Sequence, residues 1–487
     1  MRTEELLKNV EIVKVIGTMP LNVESVVDDS RKSGKDSLFF CVKGNNEDGE
    51  KFIGEAIARG TTIIVGEKPS GCNVCFVVVK DIRDAMAKIC AEFYGNPQDK
   101  LKIFGVVGTN GKTSVCHILS QIFAVAGKNT GIIGTLGITS GNETKDTGLT
   151  SPGTVLLYST LADFVKNGTE CLFMEVSAHA IAQKRVGGIF FECLIFTNCT
   201  EDHLDYFGNM EKYSSVKRSI FKKHNCKYAI VNVDDPTGRE ILCESDAETL
   251  TYGIDNPADV FAIDIAESER GISYIINLFD AIYDVDSPLL GECNVYNTLA
   301  AAACAAACGI RIHKIALALK HIKAVKGRAE FVCSVNGANV YIDYAHTPDG
   351  LKRTLTSFRK VCDGKLYCLF GCGGNREKEK RSVMGAISAS LSDFTVITTD
   401  NPRFEDPCAI ISEIESGVRK ISRDYITIED RKEAIGYAMA KLKKSDILIV
   451  AGKGAETYQD VLGVKRDFSD ADVIAEVAAT LDGQDDK

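Results

Sequence analysis

The sequence predicts an α/β protein of three domains. A central phosphate-loop (P-loop) domain with a doubly wound parallel sheet is flanked by a smaller N-terminal α/β domain and a Rossmann-like C-terminal domain. Three observations carry that expectation. The chain has 487 residues, too many for one ordinary hydrophobic core. Short apolar runs alternate with stretches of helical spacing, the pattern of parallel strands joined by crossover helices. Residues 105–114 form a glycine-rich turn between an apolar segment and a helix start, where backbone N–H groups gather for an anion.

The first domain is expected over residues 1–97. Buried strands read at 37–42, 61–65 and 74–79, with a helix at 51–58. The polar stretches 29–31 and 43–49 lie beside those strands, where they either read a ligand or punctuate the surface. Tyr94-Gly95-Asn96-Pro97 marks the boundary. The second domain, 98–325, opens with the strand before the glycine turn and continues with strands at 171–176, 193–198 and 228–233. The alanine-rich run 297–307 reads as a helix. In the third domain, 326–487, strands at 340–343, 365–370, 394–399 and 447–451 each run into a polar loop bearing glycine or proline. Those loops are 344–349, 371–376, 400–403 and 452–456, and their repeated position predicts one site on the sheet edge.

Within the turn, Gly108-Thr109-Asn110-Gly111-Lys112-Thr113-Ser114 supplies what phosphate binding needs. Glycines let the backbone close on phosphate oxygens, and the helix start adds partial positive charge. Lys112 is expected to reach the outer phosphates and the Thr113 hydroxyl to sit on Mg²⁺. The loop departs from the common pattern at Val106, where glycine is usual. The alternative is a glycine turn that binds nothing.

Charge leans to acid, with 57 Lys and Arg against 67 Asp and Glu, and no long basic run. Nucleic-acid binding is therefore disfavoured, and an anionic ligand needs a local cluster of cations. No apolar stretch is long enough to span a bilayer, and Met1-Arg2-Thr3-Glu4-Glu5 does not begin a secretory signal. The expectation is a cytoplasmic protein with no membrane partner. Its 18 cysteines are scattered, many in apolar segments, and Cys72-Asn73-Val74-Cys75 has no second pair. Buried free thiols are expected rather than a metal or redox site.

Three further side chains invite chemistry. Glu175 stands at a strand end after the phosphate loop, where such folds place a Mg²⁺ ligand. His203, in the loop after the next strand, reads as a second-metal ligand, a base, or a packed loop histidine. Lys217, fourteen residues further on an apparent helix over 210–221, reads by itself as one more helix-surface lysine.

At this point the residues resemble a family. Val107-Gly108-Thr109-Asn110-Gly111-Lys112-Thr113 resembles the ATP loop of the Mur ligases. Met174-Glu175-Val176-Ser177-Ala178-His179-Ala180, Thr197-Asn198, Asp202-His203-Leu204-Asp205-Tyr206 and Asp343-Tyr344-Ala345-His346-Thr347-Pro348-Asp349 resemble the member that adds the third residue of the peptidoglycan stem. The resemblance covers almost the whole chain. It implies an ATP-dependent ligase acting on UDP-N-acetylmuramoyl-L-alanyl-D-glutamate through an acyl phosphate, with ATP as co-substrate and two Mg²⁺ ions. It also implies ATP contacts from Ser114, Asn297 and Arg328, and a carbamylated Lys217 that joins His203 on the second Mg²⁺. Ser30, Asn45, Asn46 and Glu47 match uridine-diphosphate positions; Thr150, Ser151, Ser177, Gln183 and Arg185 match those along the muramoyl peptide. Leu149, where Asn is frequent, and Ala178, where a second Ser is common, depart from that pattern.

Diaminopimelate differs from lysine by a distal carboxylate, which needs a cation. Asp400-Asn401-Pro402-Arg403 resembles the diaminopimelate-type motif and supplies one, since Arg403 can hold a carboxylate bidentately. Arg376, Gly452 and Glu456 match the remaining pocket positions, while Ala455 departs where His is frequent. The expected amino acid is meso-diaminopimelate, with L-lysine the alternative, and the protein is expected as a monomer. Rival readings are a folylpolyglutamate synthetase-like ligase and a nucleotide-switched regulatory protein.

Overall fold

The computed structural model describes residues 1–44, 47–141, 143–269 and 271–485. Its strands gather into three main sheets. The first contains β1 (Ile12–Ile16), β2 (Ser25–Val27), β3 (Ser37–Phe40), β4 (Thr61–Gly66) and β5 (Cys75–Val79), in the order β1-β5-β4-β3-β2. Only β1 runs antiparallel to its neighbour.

The central sheet is built from β6 (Lys102–Val107), β7 (Thr130–Gly134), β8 (Gly137–Ser140), β9 (Glu143–Lys145), β10 (Cys171–Val176), β11 (Phe191–Phe196), β12 (Cys226–Asn232), β13 (Glu248–Gly253), β14 (Val260–Ser268), β15 (Gly271–Leu278) and β16 (Ala281–Ser287). Their order is β16-β15-β14-β13-β12-β11-β6-β10-β7-β8-β9. From β7 to β14 every pairing is parallel, as the sequence predicts. Antiparallel hairpins extend both ends, a feature the apolar runs do not reveal. In β15 only every second side chain (Ile272, Tyr274, Ile276 and Leu278) is buried, so it covers one face and carries no continuous apolar run.

The third sheet holds β17 (Glu330–Val335), β18 (Ala338–Asp343), β19 (Leu366–Phe370), β20 (Phe394–Ile397), β21 (Tyr425–Thr427) and β22 (Ile447–Ala451), in the order β17-β18-β22-β19-β20-β21. All but β17 are parallel. A separate hairpin, β23 (Tyr458–Val461) and β24 (Val464–Asp467), follows.

Both faces of the central sheet are buried. Phe104 and Val106 of β6 enter one apolar layer, and Ile103 and Val107 enter the other. This second layer continues into the first sheet through Phe40, Val65 and Val77, and into helix Ile82–Phe93 through Ile89. Helix Glu292–Ala307 is enclosed on all sides from Leu299 to Ala305, and its small side chains let it lie close against helix Lys112–Val125. Cysteines such as Cys116, Cys171 and Cys368 are buried free thiols, and the sulfurs of Cys193, Cys304 and Cys308 lie within 4.8 Å of one another. Among the described residues, no helix is long and apolar enough to cross a membrane.

Candidate active site

The end of β6 runs into the phosphate loop, and Gly111, at φ +86°, turns the chain into helix Lys112–Val125. Gly108 is required by closeness: a Cβ there would lie 1.8 Å from Thr197 Oγ1 at the end of β11. The Thr197 hydroxyl donates to the Asn110 carbonyl (2.6 Å), and Asn198 Oδ1 accepts the Asn110 N–H (2.9 Å). Lys112 Nζ donates to the Gly108 and Thr109 carbonyls, both at 2.9 Å, so the loop is closed on its own lysine. Burial lowers the Lys112 ammonium from its ordinary value, with Glu175 opposing the shift. Asn297 Oδ1 faces Gly111, 2.6 Å from where a Cβ would stand.

Glu175, near the end of β10, is buried and accepts only from neutral donors. Thr113 Oγ1 (2.9 Å) and the Thr135 N–H (2.8 Å) reach Oε1, and Thr135 Oγ1 (3.1 Å) reaches Oε2. A buried carboxylate whose hydrogen bonds all come from neutral donors is costly unless a cation joins it. Together with the Thr113 hydroxyl it forms a pair of hard oxygen ligands, which fits Mg²⁺. Arg328 Nη2 donates to Thr113 Oγ1 (2.9 Å), and Asn110 Nδ2 donates to Asp349 Oδ2 (3.1 Å). Two side chains beyond the central sheet thus reach the phosphate loop directly.

His203 adopts φ +56° at the start of the short helix Leu204–Phe207. Its Nε2 lies 3.4 Å from Asp202 Oδ2 and its ring meets the His179 ring edge-on at 4.7 Å. Burial lowers the His203 imidazole, with Asp202 pulling the other way.

Lys217 is not the surface lysine that its sequence context suggests; it is fully enclosed. Helix Met210–Ser219 turns Tyr213 and Lys217, four residues apart, inward against the phosphate loop. Lys217 Nζ donates to Thr109 Oγ1 (2.7 Å), lies 3.7 Å from Cys199 Sγ, and sits 3.9 Å from the centroid of the Tyr213 ring. Burial pushes its ammonium down to about 7.

A cavity of about 730 Å³ joins the central and third sheets. Lys112, Thr113, Glu175, His203, Asn297 and Arg328 line one side, together with Gly111, Ser114, Asn110, Thr109 and Thr150. Arg376, Asp400, Asn401, Arg403, Gly452 and Glu456 line the other. Arg403 Nη1 donates to the Gly374 carbonyl (2.6 Å), and Asn401 Nδ2 donates to Glu456 Oε2 (2.8 Å). A Cβ on Gly374 would fall 1.9 Å from the Pro402 carbonyl oxygen, so these two loops interlock backbone to backbone.

Other expected site residues lie outside this cavity. Ser151, Ser177, Gln183 and Arg185 form a connected polar group behind Glu175. Ser151 Oγ donates to the Glu175 carbonyl (2.8 Å), and the Ser177 N–H donates to Ser151 Oγ (3.0 Å). Arg185 donates to the Ser151 carbonyl (2.9 Å) and to Gln183 Oε1 (2.8 Å). Ser30 is not hydrogen-bonded to them; its hydroxyl donates to Glu55 Oε2 (2.7 Å). Glu47 is exposed, 3.8 Å from Lys51 Nζ, and Asn45 and Asn46 lie outside the described residues.

Sequence reasoning missed several lining groups. Thr135 follows β7 with no pattern to mark it. His346 sits in a loop that was legible as a site loop, but it carried no individual signal. His346 Nδ1 is 2.8 Å from the Tyr344 carbonyl; the residue is open to the cavity, and desolvation by the surrounding walls pushes its imidazole down to about 4.

Known proteins resemble the chain along its length. The Mur ligase middle domain profile matches residues 106–305, the Mur ligase glutamate ligase domain matches 327–454, and the Mur ligase family catalytic domain matches 22–94. The chain is 39% identical over 453 residues to a UDP-N-acetylmuramoyl-L-alanyl-D-glutamate–2,6-diaminopimelate ligase of Halalkalibacterium halodurans, covering 92% of this chain and 93% of that protein. It is 39% identical over 489 residues to the protein of the same name from Clostridioides difficile, covering 99% of this chain and all of that one. A solved structure of a ligase of that name superposes with a TM-score of 0.71 at 27% identity, covering 100% of this chain and 99% of that one.

Proposed function

The chain belongs to the Mur ligase family, and on that premise we propose that it joins meso-diaminopimelate to the D-glutamyl carboxylate of UDP-N-acetylmuramoyl-L-alanyl-D-glutamate. It is an ATP-dependent ligase of peptidoglycan precursor synthesis. The terminal phosphoryl group of ATP passes to the carboxylate, giving an acyl phosphate and ADP. The amino group of diaminopimelate then attacks the acyl carbon, loses a proton and expels inorganic phosphate. The observation that carries the reading is the cavity in which the phosphate loop faces the Asp400-Asn401-Pro402-Arg403 loop.

Two anions must meet for the first step, so the chain has to offset their repulsion. Lys112 and Arg328 bring positive charge to the ATP phosphates, with the N–H groups of residues 108–114 around them and Asn297 beside the loop. Thr113 and Glu175 would hold one Mg²⁺, and His203 with carbamylated Lys217 would hold a second. Bound there, the ions would draw charge from the phosphoryl and acyl oxygens. Lys217 suits the modification because its amine is enclosed with no carboxylate in its contacts. The neutral amine adds to CO₂ and releases one proton, replacing a buried cation by an anion.

Arg403 receives the distal carboxylate of the amino acid, with Arg376 nearby, and Asp400 and Glu456 accept from its distal ammonium. Gly452 leaves room beside Asp400, and Asn401 and Pro402 shape the loop. Ser30, Asn45, Asn46 and Glu47 read the uridine diphosphate. Thr150, Ser151, Ser177, Gln183 and Arg185 follow the muramoyl peptide. This divides the chain into a nucleotide-sugar domain (1–97), an ATP domain (98–325) and an amino-acid domain (326–487). It acts as a monomer in the cytoplasm.

The test is phosphate release with ATP, Mg²⁺ and the UDP-dipeptide, with meso-diaminopimelate or L-lysine added in parallel. Release and tripeptide product with diaminopimelate alone is the expected result. Product with lysine alone overturns the assigned amino acid, and no product with either overturns the reaction.

A further inference from the structure

Lys453 lies in the third unit between Gly452, at φ +108°, and Gly454, at φ +53°. Those two turns send its side chain under the loop, while Glu456, three residues on, lines the cavity. The Lys453 side chain is 0% exposed. An ammonium has three hydrogens, and each has an acceptor: Asn401 Oδ1 at 3.2 Å, Glu456 Oε2 at 3.1 Å and the Tyr458 carbonyl at 2.6 Å. Asn401 Oδ1 also accepts the Asp460 N–H (2.9 Å), so its amide has one orientation, nitrogen toward Glu456. Glu456 Oε2 therefore takes two donors from behind. Its Oε1 has no hydrogen-bond partner among the described residues.

We infer that Lys453 is a positioning residue for the incoming amino acid, its enclosed ammonium holding Glu456 so that one carboxylate oxygen meets the distal ammonium of the substrate. This rests on the reading that the pocket takes a diamino acid. Lys453 does not line the cavity and touches no reacting atom; it acts through Glu456 and Asn401. Without it, Glu456 loses a charged donor and Asn401 Oδ1 keeps only the Asp460 N–H.

The test uses two substrates on the full-length enzyme: meso-diaminopimelate, and 2-aminopimelate, which keeps the distal carboxylate but lacks the distal amine. Lys453→Met is expected to raise KM for diaminopimelate roughly 10- to 100-fold, the range for a hydrogen bond to a charged group. KM for 2-aminopimelate and for ATP should change by less than roughly threefold, since neither uses the Glu456 contact. Lys453→Arg keeps a cation but not the geometry of a small ammonium, and should show a smaller rise with the same split between substrates. If Lys453→Met does not fold, the Arg variant carries the test alone. Equal losses on both substrates, or no loss on diaminopimelate, overturn the inference. A wild-type enzyme that fails to use diaminopimelate overturns the functional reading instead.

Discussion

Two lysines, one on each side of the cavity, are both sealed from solvent and are treated differently. Lys453, on the amino-acid side, has a carboxylate, an amide and a carbonyl around its ammonium. Lys217, on the nucleotide side, has a hydroxyl, a thiol and the face of a tyrosine ring, and its contacts include no carboxylate. The contrast extends around each. Arg381, fully buried near the amino-acid pocket, pairs with Glu405 (2.9 Å) and Glu413 (2.8 Å), and that pairing, as the largest cause, holds the Glu405 carboxyl down to about 2. On the nucleotide side, Glu175 meets only neutral donors. Buried charge is tolerable when paired and costly when not. Lys453 and Arg381 are thus paired with carboxylates of the chain, whereas Lys217 and Glu175 have no oppositely charged group among their hydrogen-bond partners.

The sharpest way to break this contrast is at the backbone of the nucleotide side. Gly108→Ala puts a methyl group 1.8 Å from Thr197 Oγ1. Displacing the loop by that contact should lower turnover at least about 100-fold, as read by ADP formation; near-normal turnover would mean that the loop is not held by close approach. On the other side, Arg403→Met should raise KM for diaminopimelate roughly 10- to 100-fold while leaving KM for ATP unchanged. A shift in both constants would show that the two sides are not separable.

A smaller effect, opposite in sign, is expected for Lys217→Met. In the unmodified protein, freed of CO₂, the folded ammonium titrates at about 7 against an ordinary 10.5. Between those values the unfolded chain binds more protons, so wild-type stability rises with pH across that window. The variant should therefore gain about 1 kcal/mol or more below pH 7, and the gain should fade as pH climbs toward 10.5. Urea unfolding at pH 6 and pH 9 reads it, and a gain independent of pH would remove the charge argument. Smallest is His346→Asn. The folded imidazole, at about 4 instead of 6.5, refuses a proton that the unfolded chain accepts. Wild-type stability should fall as pH drops through that window, and the variant should fall less steeply; parallel slopes would mean the ring is not shielded.

Much of this was legible in the sequence, for reasons particular residues make plain. The parallel strands carry continuous apolar runs because both of their faces are covered, as at β10 and β11. The loops after β18, β19, β20 and β22 stood out because glycine and proline punctuate them at one repeated position. The hairpins β14 to β16 did not, because one-sided burial leaves alternating polar residues. From spacing alone Lys217 read as a surface lysine, because helix Met210–Ser219 is polar overall, and it was the family resemblance that singled it out. Tyr213, one turn earlier on the same face, was the local hint of burial. Lys453 had no signal at all: a lysine between glycines looks like a loop tip, and only the acceptors brought by distant Asn401 and Tyr458 enclose it.

The hairpins that extend the central sheet have a consequence for how the molecule behaves in a crowded solution. A sheet this wide ends in exposed main chain, a template on which strands of other molecules can grow. At one end the last strand is only Glu143-Thr144-Lys145, three exposed residues with charge at both ends. At the other, β16 carries exposed Asp284 and Asp286 on its rim. A foreign strand would find too little length on one rim and clustered acid on the other, so the broad sheet resists fibril growth.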